Sequence, residues 1–212
     1  MDKKQPEQKT KRTRMRGEER RELILLQAKH VFANSNFQEA STSELARASG
    51  VTEPVLYKHF SSKKELFLTV LCEFSQRFHE RLQERMIQRM QEGGIMEVLE
   101  HLVEDYRATV KADPEIDRAF FQASAEAHDP DIAQAMRRHN HQLFERVYPL
   151  VVQAQQEGLL TDNLNSESIT WGFISFIVFC QYSRGLSSPI DLNHIQPELN
   201  RIWLRGLRPS TS

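Results

Sequence analysis

The sequence has little of what marks secreted, membrane-spanning or metal-binding proteins. It contains 2 cysteines in 212 residues, and Cys72 and Cys180 are too far apart to suggest a disulfide framework or a zinc site. We therefore expect reduced thiols. No run of about 18 apolar residues is present, which predicts no membrane-spanning helix. Residues 1–22 lack the apolar stretch of a secretory signal, so a cytoplasmic location without a membrane partner is expected.

Patterns of strands and catalytic centres are also missing. Apolar and polar residues nowhere alternate with the period of two that a half-buried β-strand requires. The chain has no Gly-rich phosphate loop, no G-x-S-x-G pattern and no recognisable Cys/His pairing. His139 and His141 lie two residues apart on a predicted helix and would face different sides, which makes them poor joint metal ligands. We predict no enzyme, no cofactor and no metal site.

Charge is distributed unevenly along the chain, although the net charge is only -1. Residues 1–64 contain 14 lysines and arginines against 8 acidic residues, whereas residues 65–212 contain 14 against 21. A basic first third suggests that only this part meets a polyanion. Residues 1–20 are basic and almost devoid of apolar side chains, which predicts a flexible arm. It is either a solvated tail or an additional contact with DNA phosphates.

The stretch 42–66 predicts two short helices joined by a tight turn. Ser41 and Glu44 have the spacing of a capping box, which satisfies amides at a helix start. Gly50 is suited to the left-handed turn that ends the first helix. Thr52 is a good N-cap for the second helix. This arrangement predicts a helix-turn-helix, whose second helix enters the DNA major groove.

This stretch resembles the DNA-binding signature of the TetR family of transcriptional repressors. The residues that carry the resemblance are Gly50, Val51, Leu56, Tyr57, Phe60, Lys63 and Leu66, with Thr42, Leu45 and Ala46 upstream. The likeness is close over about residues 20–70, and beyond them only the helical layout matches. It implies a DNA-binding transcription regulator.

Helical spacing of apolar residues continues to the end of the chain and predicts an all-α fold. We expect helices at 18–34, 63–90, 95–112, 114–127, 130–157, 167–185 and 195–207, besides the two short ones. The predicted organisation is a basic arm over 1–20, a DNA-binding domain over 21–66, and an effector-binding and dimerisation domain over 67–208. The 63–90 helix would join the two domains.

Resemblance and side-chain chemistry together suggest how DNA is contacted. Phosphate contacts are expected from Thr42, Tyr57, His59 and Lys63. Base-edge contacts are expected from Thr52, Glu53, Pro54, Val55 and Lys58. Glu53 has an alternative role, because a carboxylate also stabilises a helix N-terminus.

The resemblance further implies a homodimer and a ligand pocket. TetR-like proteins dimerise through their last two helices, and the candidates here are Trp171, Ser175, Val178, Tyr182, Leu199, Ile202 and Trp203. The candidate pocket residues are Phe78, Tyr106, Phe121, Phe144, Tyr148, Phe173 and Ile177, which suit a small, largely hydrophobic effector. We expect a repressor that binds a palindromic operator as a dimer and is released by such an effector. The alternative is a constitutive DNA-binding protein without an effector.

Overall fold

The computed structural model describes residues 17–185 and 192–209, and every regular element in these ranges is an α-helix. The helices are α1 Gly17–Asn34, α2 Thr42–Ala48, α3 Glu53–His59, α4 Lys63–Ala112, α5 Pro114–Ala125, α6 Pro130–Gln156, α7 Ser166–Gly185 and α8 Leu192–Gly206. The all-α prediction is confirmed. No helix in the described part of the chain is long and apolar enough to cross a membrane. Most of the predicted arm, residues 1–16, lies outside the described residues.

Short-range capping interactions start the helices of the DNA-binding region. The Ser41 hydroxyl accepts a hydrogen bond from the Glu44 amide at 3.1 Å, as the capping box predicts. At the start of α4, the Ser62 hydroxyl accepts from the Glu65 amide at 3.0 Å. The Glu65 carboxylate bonds to the amide and hydroxyl of Ser61, and these bonds lower the pKa of Glu65.

Two glycines adopt backbone conformations that other residues rarely reach. Gly50 has a φ of 64° and forms the turn between α2 and α3. Gly94 has a φ of 73° and a ψ of -158°, and Gly93 beside it is also non-helical. These two residues divide α4 into two helical stretches, close to the boundary predicted from the sequence. Glycine permits this break because it has no Cβ.

The buried apolar residues form two clusters. The first joins α1, α2, α3 and the start of α4 with α5 and with Ile132 of α6. The second joins the remainder of α4 with α6, α7 and α8. The core beneath the helix-turn-helix therefore continues past residue 66 and includes Phe74, Ile116 and Phe120.

A buried histidine pair lies between α4 and α6, beside aromatic residues of both clusters. The ring of His139 stacks on Phe120 at 4.2 Å between centroids, and its Nδ1 lies 2.7 Å from the Ser75 hydroxyl. His79 Nε2 donates to the carbonyl oxygen of His139 at 3.1 Å. Burial, with the charges of His139 and Arg146, lowers the pKa of His79 to about 3. Burial also lowers the pKa of His139 to about 4. Both rings are consequently neutral near pH 7.

Candidate nucleic-acid interface

Helix α3 is anchored by its apolar side and presents its polar side to solvent. Leu56 and Phe60 are 2% exposed and pack into the first cluster. The residues of the outer side are exposed or half-exposed, namely Thr52, Glu53, Pro54, Val55, Tyr57, Lys58 and His59. A helix held in this way can enter a major groove without exposing its own core.

A side-chain hydrogen bond joins the beginnings of α2 and α3. The Thr42 hydroxyl donates to the Glu53 carboxylate at 3.2 Å. This contact gives Glu53 a role in addition to the two considered from the sequence, because it holds the two helices of the motif in register. DNA contacts by Thr42 and Glu53 remain predictions.

Lys63 holds the loop between α1 and α2. Its ammonium donates to the carbonyl oxygens of Phe37 at 2.8 Å and Ala40 at 3.0 Å. It also lies 4.6 Å from the centroid of the Phe37 ring. A phosphate contact by Lys63 stays a prediction, whereas its intramolecular role was not foreseen. The acceptors are backbone carbonyls, which every residue has, so the pattern of side chains in the sequence does not indicate them.

Lys64 links the first turn of α4 to the first turn of α6. Its ammonium lies 2.7 Å from the Asp129 carboxylate and 2.6 Å from that of Asp131. The hydrogen bonds that Lys64 donates to Asp129 and then to Asp131 raise the pKa of Lys64, and the bond from Lys64 lowers the pKa of Asp129. Asp129 also caps α6 by accepting from the amides of Asp131 and Ile132.

Lys29 provides a second, more buried link, from α1 to α5. Its ammonium donates to both oxygens of Asp113, at 2.7 and 2.8 Å, and lies 3.4 Å from Glu115. Asp113 occupies the N-cap position of α5 but makes no capping bond with its side chain, because Lys29 binds both of its oxygens. Burial raises the pKa of Glu115, but the bond from His30 and the charge of Lys29 outweigh it, and the pKa is lowered.

The helix-turn-helix coincides with a known DNA-binding domain. The family model described as bacterial regulatory proteins, tetR family, matches residues 24–70, the region from α1 to the start of α4. Residues 24–70 are a DNA-binding domain of the TetR family. The chain is a transcriptional regulator with a DNA-binding domain of the TetR type.

Relatives agree with this assignment over different lengths of the chain. The transcriptional activator FasR of Mycolicibacterium smegmatis is 47% identical over 58 residues, which cover 27% of this chain and only 26% of FasR. The transcriptional repressor AcnR of Corynebacterium efficiens is 26% identical over 181 residues, or 81% of this chain and 89% of AcnR. The structure of FadR from Bacillus subtilis in complex with stearoyl-CoA has a TM-score of 0.74 at 14% identity, covering 88% of this chain and 99% of FadR. This structural likeness shows the shared fold.

Most of the predicted pocket residues lie in or against the second cluster, and their role as a pocket stays a prediction. Those that are buried in the second cluster are Phe78, Tyr106, Phe173 and Ile177. Phe121 is half-exposed. Phe144 is half-exposed and lies 5.2 Å from each of Tyr148 and Trp171, both of which are exposed. A groove in the described part of the chain lies elsewhere, between α4 and α8, and none of the seven residues lines it.

The residues predicted for the dimer seam lie on the outside of α7 and α8. The exposed ones are Trp171, Ser175, Val178, Leu199, Ile202 and Trp203, and the side chain of Tyr182 lies outside the described residues. Ile202 is 66% exposed. The Trp203 ring passes so close to Gly172 that a Cβ there would lie 2.2 Å from it, so α7 and α8 are tightly packed against each other.

Proposed function

We propose that this chain forms a homodimer that binds a palindromic operator and represses transcription, and that a small, largely hydrophobic effector releases it. The observation that carries the proposal is the pairing of two surfaces on one chain. One is the exposed polar side of α3, and the other is the exposed apolar side of α7 and α8.

The polar side of α3 supports direct reading of DNA. Lys58 is exposed and can donate to guanine, while Val55 and Pro54 can touch a thymine methyl. Tyr57, 46% exposed, has a hydroxyl suited to a phosphate. One seven-residue helix reads few base pairs, so a two-fold dimer with two half-sites about 34–36 Å apart supplies the needed specificity.

The apolar side of α7 and α8 supports dimerisation. Large apolar side chains, including Trp171, Val178, Leu199 and Ile202, are exposed there on adjacent helices. A contiguous exposed apolar surface usually marks a protein interface. A second copy related by two-fold symmetry would cover the same surface on both chains.

Effector release is supported by the ion pairs that link the helices of the DNA-binding region to α5 and α6. FadR from Bacillus subtilis, of the same fold, was solved with stearoyl-CoA, so an acyl chain is a reasonable first ligand to test. Lys64 joins α4 to α6, and Lys29 joins α1 to α5. A ligand that favours a different position of α5 or α6 would thereby shift the population of α3 orientations.

One observation favours the alternative of a constitutive DNA-binding protein without an effector. Four of the seven predicted pocket residues are packed into the second apolar cluster. An effector would have to separate some of these side chains. Stearoyl-CoA added to a preformed operator complex distinguishes the two functions: release supports the repressor, and an unchanged complex supports the constitutive protein.

The DNA-binding proposal is tested by selecting bound duplexes from a random library and measuring affinity for the selected sequence. Inverted half-sites are expected. Lys58→Ala should weaken binding by about 1–3 kcal/mol and relax one position of each half-site. The matched control is Arg81→Ala, an exposed cation on α4 about 27 Å along the helix from Lys63. Equal effects of both substitutions would refute the assignment of α3.

Dimerisation is tested by placing a charge on the exposed apolar side. Ile202→Asp should convert the dimer to a monomer, because a carboxylate in an apolar interface is strongly unfavourable. Ile87→Asp is the matched control, since Ile87 is also an exposed isoleucine, 49% exposed, on α4. Sedimentation equilibrium gives the mass of each variant. A dimeric Ile202→Asp variant would contradict the proposed seam.

A further inference from the structure

A basic groove of about 870 Å³ lies between the second half of α4 and α8. Each helix contributes one face, with lining residues three and four positions apart. Five cationic side chains line the groove, against the two carboxylates of Glu100 and Glu104, and they are Arg107, Lys111, Arg201, Arg205 and Arg208. This concentration of positive charge contrasts with the acidic balance of residues 65–212.

Neither carboxylate neutralises the centre of the groove. Glu100 lies 3.3 Å from Arg208, and Glu104 lies 3.8 Å from Arg89, which is not a lining residue. Among the described residues, Lys111, Arg201 and Arg205 have no ion-pair partner. The groove therefore offers uncompensated positive charge to an anion.

Asn200 adds a buried acceptor to the groove. It is 8% exposed, and its Nδ2 donates to the carbonyl oxygen of Glu100 at 2.6 Å. Since a carbonyl can only accept, this bond fixes the orientation of the amide. Its Oδ1 is buried and finds no donor within the described part of the chain. A buried acceptor without a partner is costly, and a ligand hydroxyl or N–H would satisfy it.

We propose that this groove binds a nucleoside diphosphate or a molecule that contains one. The phosphoryl oxygens would be held by the guanidinium groups of Arg201 and Arg205, which match phosphate geometry, and by the ammonium of Lys111. A hydroxyl or amine of the nucleoside would donate to Asn200 Oδ1. The accessible apolar lining, Ala108 and Pro197, would cover the base. The groove shares no lining residue with α3 or with the proposed dimer seam, so it forms a separate site.

Calorimetric titration of the full chain with ADP tests the proposal, with pyrophosphate and adenosine as partial ligands. ADP should bind saturably below about 1 mM, more tightly than either part. The double variant R201E/R205E should weaken ADP binding by about tenfold or more. Arg137→Glu is the control, because Arg137 is an exposed arginine on α6 that does not line the groove. It should leave ADP binding unchanged.

Several results would overturn the assignment. Absence of saturable ADP binding, or equal binding by wild type and R201E/R205E, would exclude the site. Equal affinity for pyrophosphate and ADP would refute the roles of Asn200 and the apolar lining. A lower mass of the double variant in size-exclusion chromatography would show that the groove is a contact between copies. If R201E/R205E lost binding to a random DNA duplex but still bound ADP as the wild type does, the groove would instead be a nucleic-acid surface.

Discussion

The buried pair of His79 and His139 makes the stability of the fold depend on pH in a calculable way. Both rings have a pKa far below the ordinary 6.5, at about 3 for His79 and about 4 for His139. When pH falls, the unfolded chain therefore binds protons at these positions before the folded chain does. Their contribution to stability is fully present above about pH 6.5 and is lost as pH falls toward 4 and then 3.

The size of the effect follows from the shift of each group. A pH of about 5 lies about 1.5 units below the pKa of a histidine in the unfolded chain. At about 1.36 kcal/mol per unit, this difference corresponds to about 2 kcal/mol per ring. Between about pH 7 and pH 5, the pair should reduce the free energy of unfolding by about 4 kcal/mol. Replacement of one ring, as in His139→Gln, should reduce this loss by about half.

Urea unfolding followed by circular dichroism measures the effect. The protein concentration must be held constant, because the stability of a dimer depends on it. His141→Gln is the control, since the side chain of His141 is 63% exposed and should leave the pH dependence unchanged. If wild type and His139→Gln lost the same free energy between the two pH values, the assignment of neutral buried rings would be refuted.

Two further predictions concern the backbone break and the buried lysine. Gly94→Ala should lower the free energy of unfolding by about 1–3 kcal/mol, because the φ and ψ of Gly94 suit glycine alone. Gly206→Ala is the control and should not lower it, since an added Cβ there meets no atom within 4 Å. Equal urea midpoints for the two variants would contradict the reasoning. Lys29→Ala should cost about 3 kcal/mol in the same assay, because it leaves the carboxylates of Asp113 and Glu115 without their cation. Lys64→Ala, which breaks partly exposed pairs, should change stability little, and an equal loss in both lysine variants would show that burial of Lys29 is unimportant.

Local chemistry made the helix-turn-helix predictable from the sequence. The capping bond of Ser41 and the turn at Gly50 each act within a few residues, whereas Thr52 occupies the N-cap position of α3 without a capping bond from its side chain. Interactions of this range are readable in a single chain, because sequence spacing fixes them. The same holds for the break in α4 at Gly93 and Gly94.

Partners distant in sequence were not predictable in this way. Lys29 and Asp113 are 84 positions apart, and His79 and His139 are 60 apart. Only the packing of α5 and α6 against α1 and α4 brings these groups together, and helical periodicity does not specify it. The basic groove has the same origin, because its charges become neighbours only when α8 packs beside α4.

The continuity of the first apolar cluster affects how the protein could be recombined with its relatives. Phe74, Ile116 and Phe120 share one apolar core with α2 and α3, although Ile116 and Phe120 belong to α5, which lies much later in the sequence. In a chimera that joins the DNA-binding domain of a relative at residue 66, that domain would pack against an α5 surface that fits a different partner. Exchange of the exposed α3 residues, such as Tyr57 and Lys58, leaves that surface intact. New operator specificities should therefore be grafted side chain by side chain.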